Sequence, residues 1–214
     1  MKIMPLTVHD RERVWELLRQ RGTFNEGELQ VALEVIDEAL RRPDKGDYRI
    51  FCAFDGNNCL AGYICFGPIP MTEGCYDLYW IAVDEAFSRG GLGGKLLEFM
   101  EGFVIREGAR RIYVDTSTTP PYEPARSFYE KHGYQVACEL KDFYREGDHK
   151  IIFMKEVRSV VSENRKTPRV KKGPRGHQQL IPGTPETMSR LSPAERIVIS
   201  AEREIDVTSL CPSQ

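Results

Sequence analysis

Along residues 1–157 the apolar positions change period several times, and each change marks an element. Val14, Trp15, Leu17 and Leu18 follow Thr7, a capping residue, and give a first helix its buried stripe. Leu29, Ala32, Leu33, Ile36 and Leu40 repeat at helical intervals and predict a second helix over 26–41. The period then drops. "YRIFCAF" (48–54) and "CLAGYICFG" (59–67) are apolar, aromatic-rich runs joined by "DGNN", which reads as a hairpin. "YDLYWIAV" (76–83) predicts a buried strand. After a glycine-rich turn, Leu92, Leu96, Met100, Phe103 and Val104 mark a helix running to about Gly108. "RIYVDTS" (111–117) is the next strand. A proline-rich turn leads to the short helix "PARSFYEKHG", with Pro124 in its first turn and Gly133 as its C-terminal cap. "YQVACEL" (134–140) alternates Tyr134, Val136, Cys138 and Leu140 on one face, and "KIIFMKEV" (150–157) closes the pattern. Interspersed helices and strands predict one layered α+β (mixed α/β) domain over 1–157.

Residues 158–214 change character. Arg158, Arg165, Lys166, Arg169, Lys171, Lys172 and Arg175 crowd one stretch, and aromatics end at Phe153. This composition predicts a polar, largely disordered C-terminal extension. Within it the capping box "SPAE" (192–195), with Pro193 at the first helical position, marks a short helix over 193–205. Basic residues without interleaved aromatics argue against a nucleic-acid partner.

Composition narrows the class further. A net charge of −2 gives the chain no general attraction to polyanions or anionic lipid. No apolar run approaches the roughly 20 residues of a membrane span. Six cysteines contain no C-x-x-C pair, so they read as small buried hydrophobes rather than zinc ligands or a disulfide framework. No metal site and a cytoplasmic location are the expectations; a homodimer is left open.

The chemistry starts at "SRGGLGGKLL" (88–97). Gly90, Gly91, Gly93 and Gly94 stand where a helix begins, although each weakens a helical turn by up to ~1 kcal/mol relative to alanine. A strand, a glycine turn and a helix start together make an anion site. The first helical N–H groups lack partners, and missing β-carbons let a phosphate reach the backbone. Arg89 and Lys95 add positive charge. The turn lacks Walker spacing, with Leu96 where Ser or Thr would follow the lysine.

"DLYWIAVDEAFSRGGLGGKLLEFME" resembles the central strand, turn and helix of the GNAT superfamily of acyl-CoA-dependent N-acetyltransferases. The family turn, Q/R-x-x-G-x-G/A, is matched as Ser88-Arg89-Gly90-Gly91-Leu92-Gly93. "PARSFYEKHGY" resembles the family's later A-x-x-F/L-Y-E-K-x-G-F/Y helix. "PMTEGCYDLYWIAV" and "KDFYREGDHKIIFMK" further resemble a bacterial subgroup, some of whose members stand beside an ATP-grasp ligase domain. The resemblance implies a central mixed, mostly antiparallel sheet flanked by helices, with acetyl-CoA as cosubstrate and no metal. It implies that backbone groups of Ile81, Ala82 and Val83 pair with pantetheine. It also implies that Ser88, Arg89, Gly90, Gly91, Leu92, Gly93, Gly94 and Lys95 surround the pyrophosphate. Two positions depart from the family: Ser88 replaces Gln or Arg, and Tyr122 stands where many relatives carry Asn.

Family chemistry is direct attack of a neutral amine on a thioester. An amine of pKa about 10.4 is mostly protonated at neutral pH, and the departing thiolate needs a donor. On the resemblance, Asp77 occupies the strand position of a general base, and Tyr129 matches the tyrosine aimed at the CoA sulfur. Tyr79 shares a strand face with Asp77 and lines the acceptor side. Glu73, Asp77, Glu123 and Asp142 favour a cationic acceptor, and Tyr76, Tyr79, Tyr122, Phe143 and Tyr144 suggest the walls of a small-molecule pocket. His132 and His149 are alternative bases without metal-ligand company, and His132, at a helix end beside Gly133, reads as a surface residue. The expected function is acetyl transfer to a small amine or amino acid; the alternative is a catalytically silent CoA-binding regulatory module.

Overall fold

The computed structural model describes residues 1–157; the polar extension and its expected helix at 193–205 lie outside the described residues. The elements are β1 (Lys2–Pro5), α1 (Arg11–Arg21), α2 (Glu26–Arg41), β2 (Arg49–Phe54), β3 (Leu60–Pro68), β4 (Cys75–Val83), α3 (Leu92–Arg106), β5 (Arg111–Ser117), α4 (Glu123–Lys131), β6 (Gln135–Arg145) and β7 (Asp148–Glu156). They build a mixed α+β fold on a seven-stranded sheet of order β1-β2-β3-β4-β5-β7-β6. Every neighbouring pair is antiparallel except β4 and β5. Those two run parallel because α3 carries the chain back along the sheet, the crossover that parallel neighbours require.

Helices cover both faces. On one, Leu92, Leu96, Leu97, Met100 and Val104 of α3 pack with Ile64, Phe66, Leu78, Ile112, Val114 and Tyr129. On the other, Val14, Leu17 and Leu18 of α1 and Ala32, Val35 and Ile36 of α2 pack with Ile50, Cys52, Tyr63 and Cys65. Residues Ala61–Gly67 of β3 are all buried. That explains why its sequence reads as a continuous apolar run without alternation.

Local signals set the boundaries. In α2, Asn25 Oδ1 accepts from the Glu28 N–H at 2.9 Å while Glu28 Oε2 accepts from the Asn25 N–H at 2.7 Å, a complete capping box. Thr7 begins the first helical segment less directly. Its hydroxyl donates to the buried Asp10 carboxylate at 2.6 Å, a single 3-10 turn intervenes, and α1 opens at Arg11.

Three features differ from the sequence reading. The short edge strand β1 carries no clear alternation, and its pairing with Phe51–Phe54 defines it. The expected common face of Tyr134, Val136, Cys138 and Leu140 is broken, because the β6–β7 register shifts between Val136 and Cys138. Val136 therefore sits opposite Phe153, whereas Cys138 and Leu140 sit opposite Ile152 and Lys150 on the other face. Finally, Cys52 and Cys65 are buried as small hydrophobes should be, while Cys59 and Cys138 are exposed; the described cysteines are free thiols.

Candidate active site

The sheet opens where the motifs meet. β4 pairs with β3 along its whole length but with β5 only through Cys75↔Arg111, Tyr76↔Ile112 and Asp77↔Tyr113. From Leu78 onward the two strands part. Ile81, Ala82 and Val83 lie in the part of β4 that has no β5 partner, so one edge of their backbone is unpaired within the sheet. A bulge on the β3 side skips Tyr79, because Cys65 pairs with Trp80 and Phe66 with Leu78.

At the head of the opening stands the glycine turn. A 3-10 turn over Glu85–Gly90 runs into Gly91, whose φ of 70° is left-handed, and α3 starts at Leu92. The first helical bond goes from the Lys95 N–H to the Gly91 carbonyl at 3.2 Å. The first-turn N–H groups before it therefore have no helical acceptor. The four glycines divide into two pairs. Gly90 and Gly91 have open space where a Cβ would stand. A Cβ on Gly93 would lie 3.3 Å from the Phe128 ring, and one on Gly94 would lie 2.9 Å from His132 Nε2. So the second pair lets α4 pack against the first turn of α3. The Ser88 hydroxyl donates to the Glu85 carbonyl at 2.8 Å, within its own turn.

Tyr129 is only 6% exposed and sits among Phe128, Tyr134 and Phe153, with ring centroids 5.5–5.9 Å away. Ile81 and Val83 join the same apolar cluster. Burial raises the Tyr129 phenol well above its ordinary value, so the hydroxyl stays protonated. Among the described residues it has no hydrogen-bond partner.

Asp77 lies on the α1–α2 face, opposite Gly67 on β3 and Tyr113 on β5, at the last β4–β5 pair. Tyr79 shares that face and meets Tyr48 edge-on at 5.3 Å. Burial, and then the charge of Asp77, raise the Tyr79 phenol. Farther along, Tyr122 donates to Glu28 Oε1 at 2.5 Å. Burial first, then Glu28, push the Tyr122 phenol up. Burial first, then the charges of Asp115, Asp148 and Glu28, raise the phenol of Tyr144, which packs on Phe143.

The expected acceptor walls are therefore regrouped. Phe143 and Tyr144 pack edge-on with ring centroids 5.1 Å apart, Tyr122 is tied to Glu28 of α2, and Tyr79 lies on the α1–α2 face of the sheet. Tyr76 faces the α3 side and donates to Glu107 at 3.0 Å. Asp142 pairs with His149, and Glu73 gives its backbone carbonyl to Arg110. Glu123 lies exposed in the first turn of α4. His132 is half-buried rather than on the surface, its Nδ1 donating to the Phe128 carbonyl at 2.8 Å. Glu28 and Asp115 were not legible as site residues: α2 was legible from its apolar stripe, which says nothing of the polar Glu28 in its first turn. Among the described residues no His, Cys, Asp or Glu group is placed to hold a metal ion, and no helix is long and apolar enough to cross a membrane.

Comparison with known proteins decides the family. The model of the Acetyltransferase (GNAT) family matches residues 11–134. The chain belongs to the GNAT acetyltransferase family. A GNAT-family structure from Desulfovibrio desulfuricans superposes with a TM-score of 0.69 at 38% identity, covering 72% of this chain and 98% of that one. An Enterococcus faecium aminoglycoside 6'-N-acetyltransferase shares the fold at 19% identity, with a TM-score of 0.58 over 73% of this chain and 97% of that one. A Bacillus subtilis protein, S-(2-succino)cysteine N-acetyltransferase, is 29% identical over 69 residues, 32% of this chain and 42% of its own length. The GNAT match takes in α1 to α4, and so the whole opening between β4 and β5.

Proposed function

We propose that this protein is an N-acetyltransferase that moves an acetyl group from acetyl-CoA to the amine of a small molecule or amino acid by direct attack. The parting of β4 from β5 after Asp77–Tyr113, with the glycine turn at its head, carries this reading. An unpaired strand edge suits an extended, amide-bearing pantetheine arm, which can pair with Ile81, Ala82 and Val83 like an added strand. Open backbone at Gly90 and Gly91, with the first-turn N–H groups of Leu92, Gly93 and Gly94 that have no helical acceptor, suits a pyrophosphate; Ser88, Arg89 and Lys95 belong to the same turn.

The chain's own groups then divide the proton work. Asp77 accepts the amine's proton, through a water, as nitrogen attacks the thioester carbon. As the C–S bond breaks, Tyr129 donates its proton or a hydrogen bond to the departing thiolate. With no protein partner among the described residues, that hydroxyl is available to the sulfur. The relatives' names point to small amines as acceptors, the aminoglycosides and S-(2-succino)cysteine among them.

The test is thiol release from acetyl-CoA with S-(2-succino)cysteine, L-lysine and neamine as acceptors, beside calorimetry of CoA binding. Acceptor-dependent release with balanced acetyl-amine formation is the expected result. CoA binding without release for any amine would instead make the protein a silent CoA-binding module.

A further inference from the structure

Tyr122 stands where many GNAT relatives carry Asn, and the proposed chemistry gives it no task. Its hydroxyl instead donates to Glu28 Oε1 at 2.5 Å, across 94 residues of sequence. The bond ties the first turn of α2 to the turn that precedes α4. Both partners are held from behind. Glu28 Oε2 accepts from the Asn25 N–H at 2.7 Å, which fixes the carboxylate within the first turn of α2. Tyr122 ends a turn pinned by Arg126, whose Nη1 donates to the carbonyls of Ser117 at 2.6 Å and Thr119 at 3.1 Å.

The bond's position matters more than its strength. Helix α2 packs its Ala32, Val35 and Ile36 on the β2–β3 side of the sheet, with Ile50 and Cys65. Its first turn reaches Tyr122, which follows β5. Helix α2 thus crosses the gap that opens between β4 and β5, on the face that carries Asp77 and Tyr79.

We propose that the Tyr122–Glu28 hydrogen bond is the positioning device for the amine acceptor, setting the width of the β4–β5 opening on the α2 face and hence where the amine lies relative to Asp77. This rests on the acetyl-transfer reading above. Tyr122 and Glu28 act through the hydrogen bond between them; the charge of Glu28 is incidental to the role.

The experiment uses steady-state thiol release, with whichever of S-(2-succino)cysteine, L-lysine and neamine the wild-type protein turns over fastest. Tyr122→Phe is expected to raise KM for that amine about fivefold to tenfold, with KM for acetyl-CoA and CoA affinity by calorimetry changed less than twofold. Glu28→Gln keeps both ties, its oxygen accepting from the Asn25 N–H and its amide N–H donating to the Tyr122 oxygen, and should stay within twofold of wild type. Glu28→Met removes the acceptor and should reproduce the Tyr122→Phe rise. An unchanged amine KM in Tyr122→Phe would overturn the proposal. So would equal damage from Glu28→Gln and Glu28→Met, because the charge would then be what matters. A wild-type protein releasing no thiol would instead remove the reading beneath it, so the two failures are distinguishable.

Discussion

Gly94→Ala separates the two uses of glycine at the head of α3. The new methyl would stand 2.9 Å from His132 Nε2, well inside contact distance. The ring cannot simply swing away: its Nδ1 is held to the Phe128 carbonyl at 2.8 Å, and it packs on the Phe128 ring with centroids 4.3 Å apart. In favour of the variant stands a helix-propensity gain of up to ~1 kcal/mol. Against it stand a strained or lost hydrogen bond, about 1 kcal/mol, and overpacking of about 1–3 kcal/mol. The net loss is about 1–3 kcal/mol, which lowers Tm by roughly 3–9 °C in a domain of this size. In a His132→Ala background the obstruction is gone, and the same substitution should stabilise by up to ~1 kcal/mol. Gly90→Ala is the counterpart. Nothing lies within 4 Å of its Cβ and its φ is not left-handed. Stability should therefore change by less than about 1 kcal/mol, while CoA affinity falls tenfold or more, about 1.4 kcal/mol, as a methyl intrudes between backbone and phosphate. Urea denaturation and CoA calorimetry on these variants make the comparison. A stabilising Gly94→Ala in the wild-type background, or unchanged CoA affinity in Gly90→Ala, would refute the division.

Other substitutions test the remaining parts. Tyr129→Phe should leave stability within about 0.5 kcal/mol, since no protein hydrogen bond is lost, and should lower kcat by about 10²–10⁴ with CoA affinity intact; denaturation, calorimetry and thiol release read the three quantities. Asp77→Asn should lower turnover by a similar factor at neutral pH, with the deficit shrinking as pH approaches the amine's own pKa of about 10.4, as a pH–rate profile would record. Burial raises the phenols of Tyr63 and Tyr129 above 10, so the unfolded chain releases those protons first. Their contribution to stability is therefore complete below pH 10 and declines above it, and urea titrations should show a shallower alkaline loss in Tyr63→Phe. Leu96→Ala, at a fully buried position on α3, should cost about 2–5 kcal/mol in the same urea titrations.

What the sequence discloses depends on whether backbone or side chains do the work. The turn before α3 is legible because it needs residues without side chains. Four glycines in five positions would only weaken a helix start, unless something has to reach the backbone there. Their division between ligand and packing is not legible, since Phe128 and His132 come from an element more than thirty residues later. Apolar and alternating runs find β2 to β7, whereas the irregularities at Tyr79 and between Val136 and Cys138 leave no mark on composition. Each of them changes which residues share a face, so the expected alternation of β6 fails where its first bulge occurs.

The same distinction explains why the donor half of this site can be read from motifs and the acceptor half cannot. Acetyl-CoA is common to the family, and a backbone edge with a helix start is a general solution to an extended amide and a pyrophosphate. The acceptor differs between relatives, so its recognition must come from side chains. On the proposal above those side chains stand on α2, β4, the turn before α4, and β6, with no constant spacing among them. Only a contact such as Tyr122 to Glu28, made across 94 residues, reveals that α2 and the turn before α4 meet. Tyr122, one of the two residues that depart from the family pattern, is also the residue that makes that contact. Acceptor choice should therefore track Tyr122 and its neighbours on the α2 face, while substitutions in the glycine turn should change coenzyme affinity for every acceptor alike.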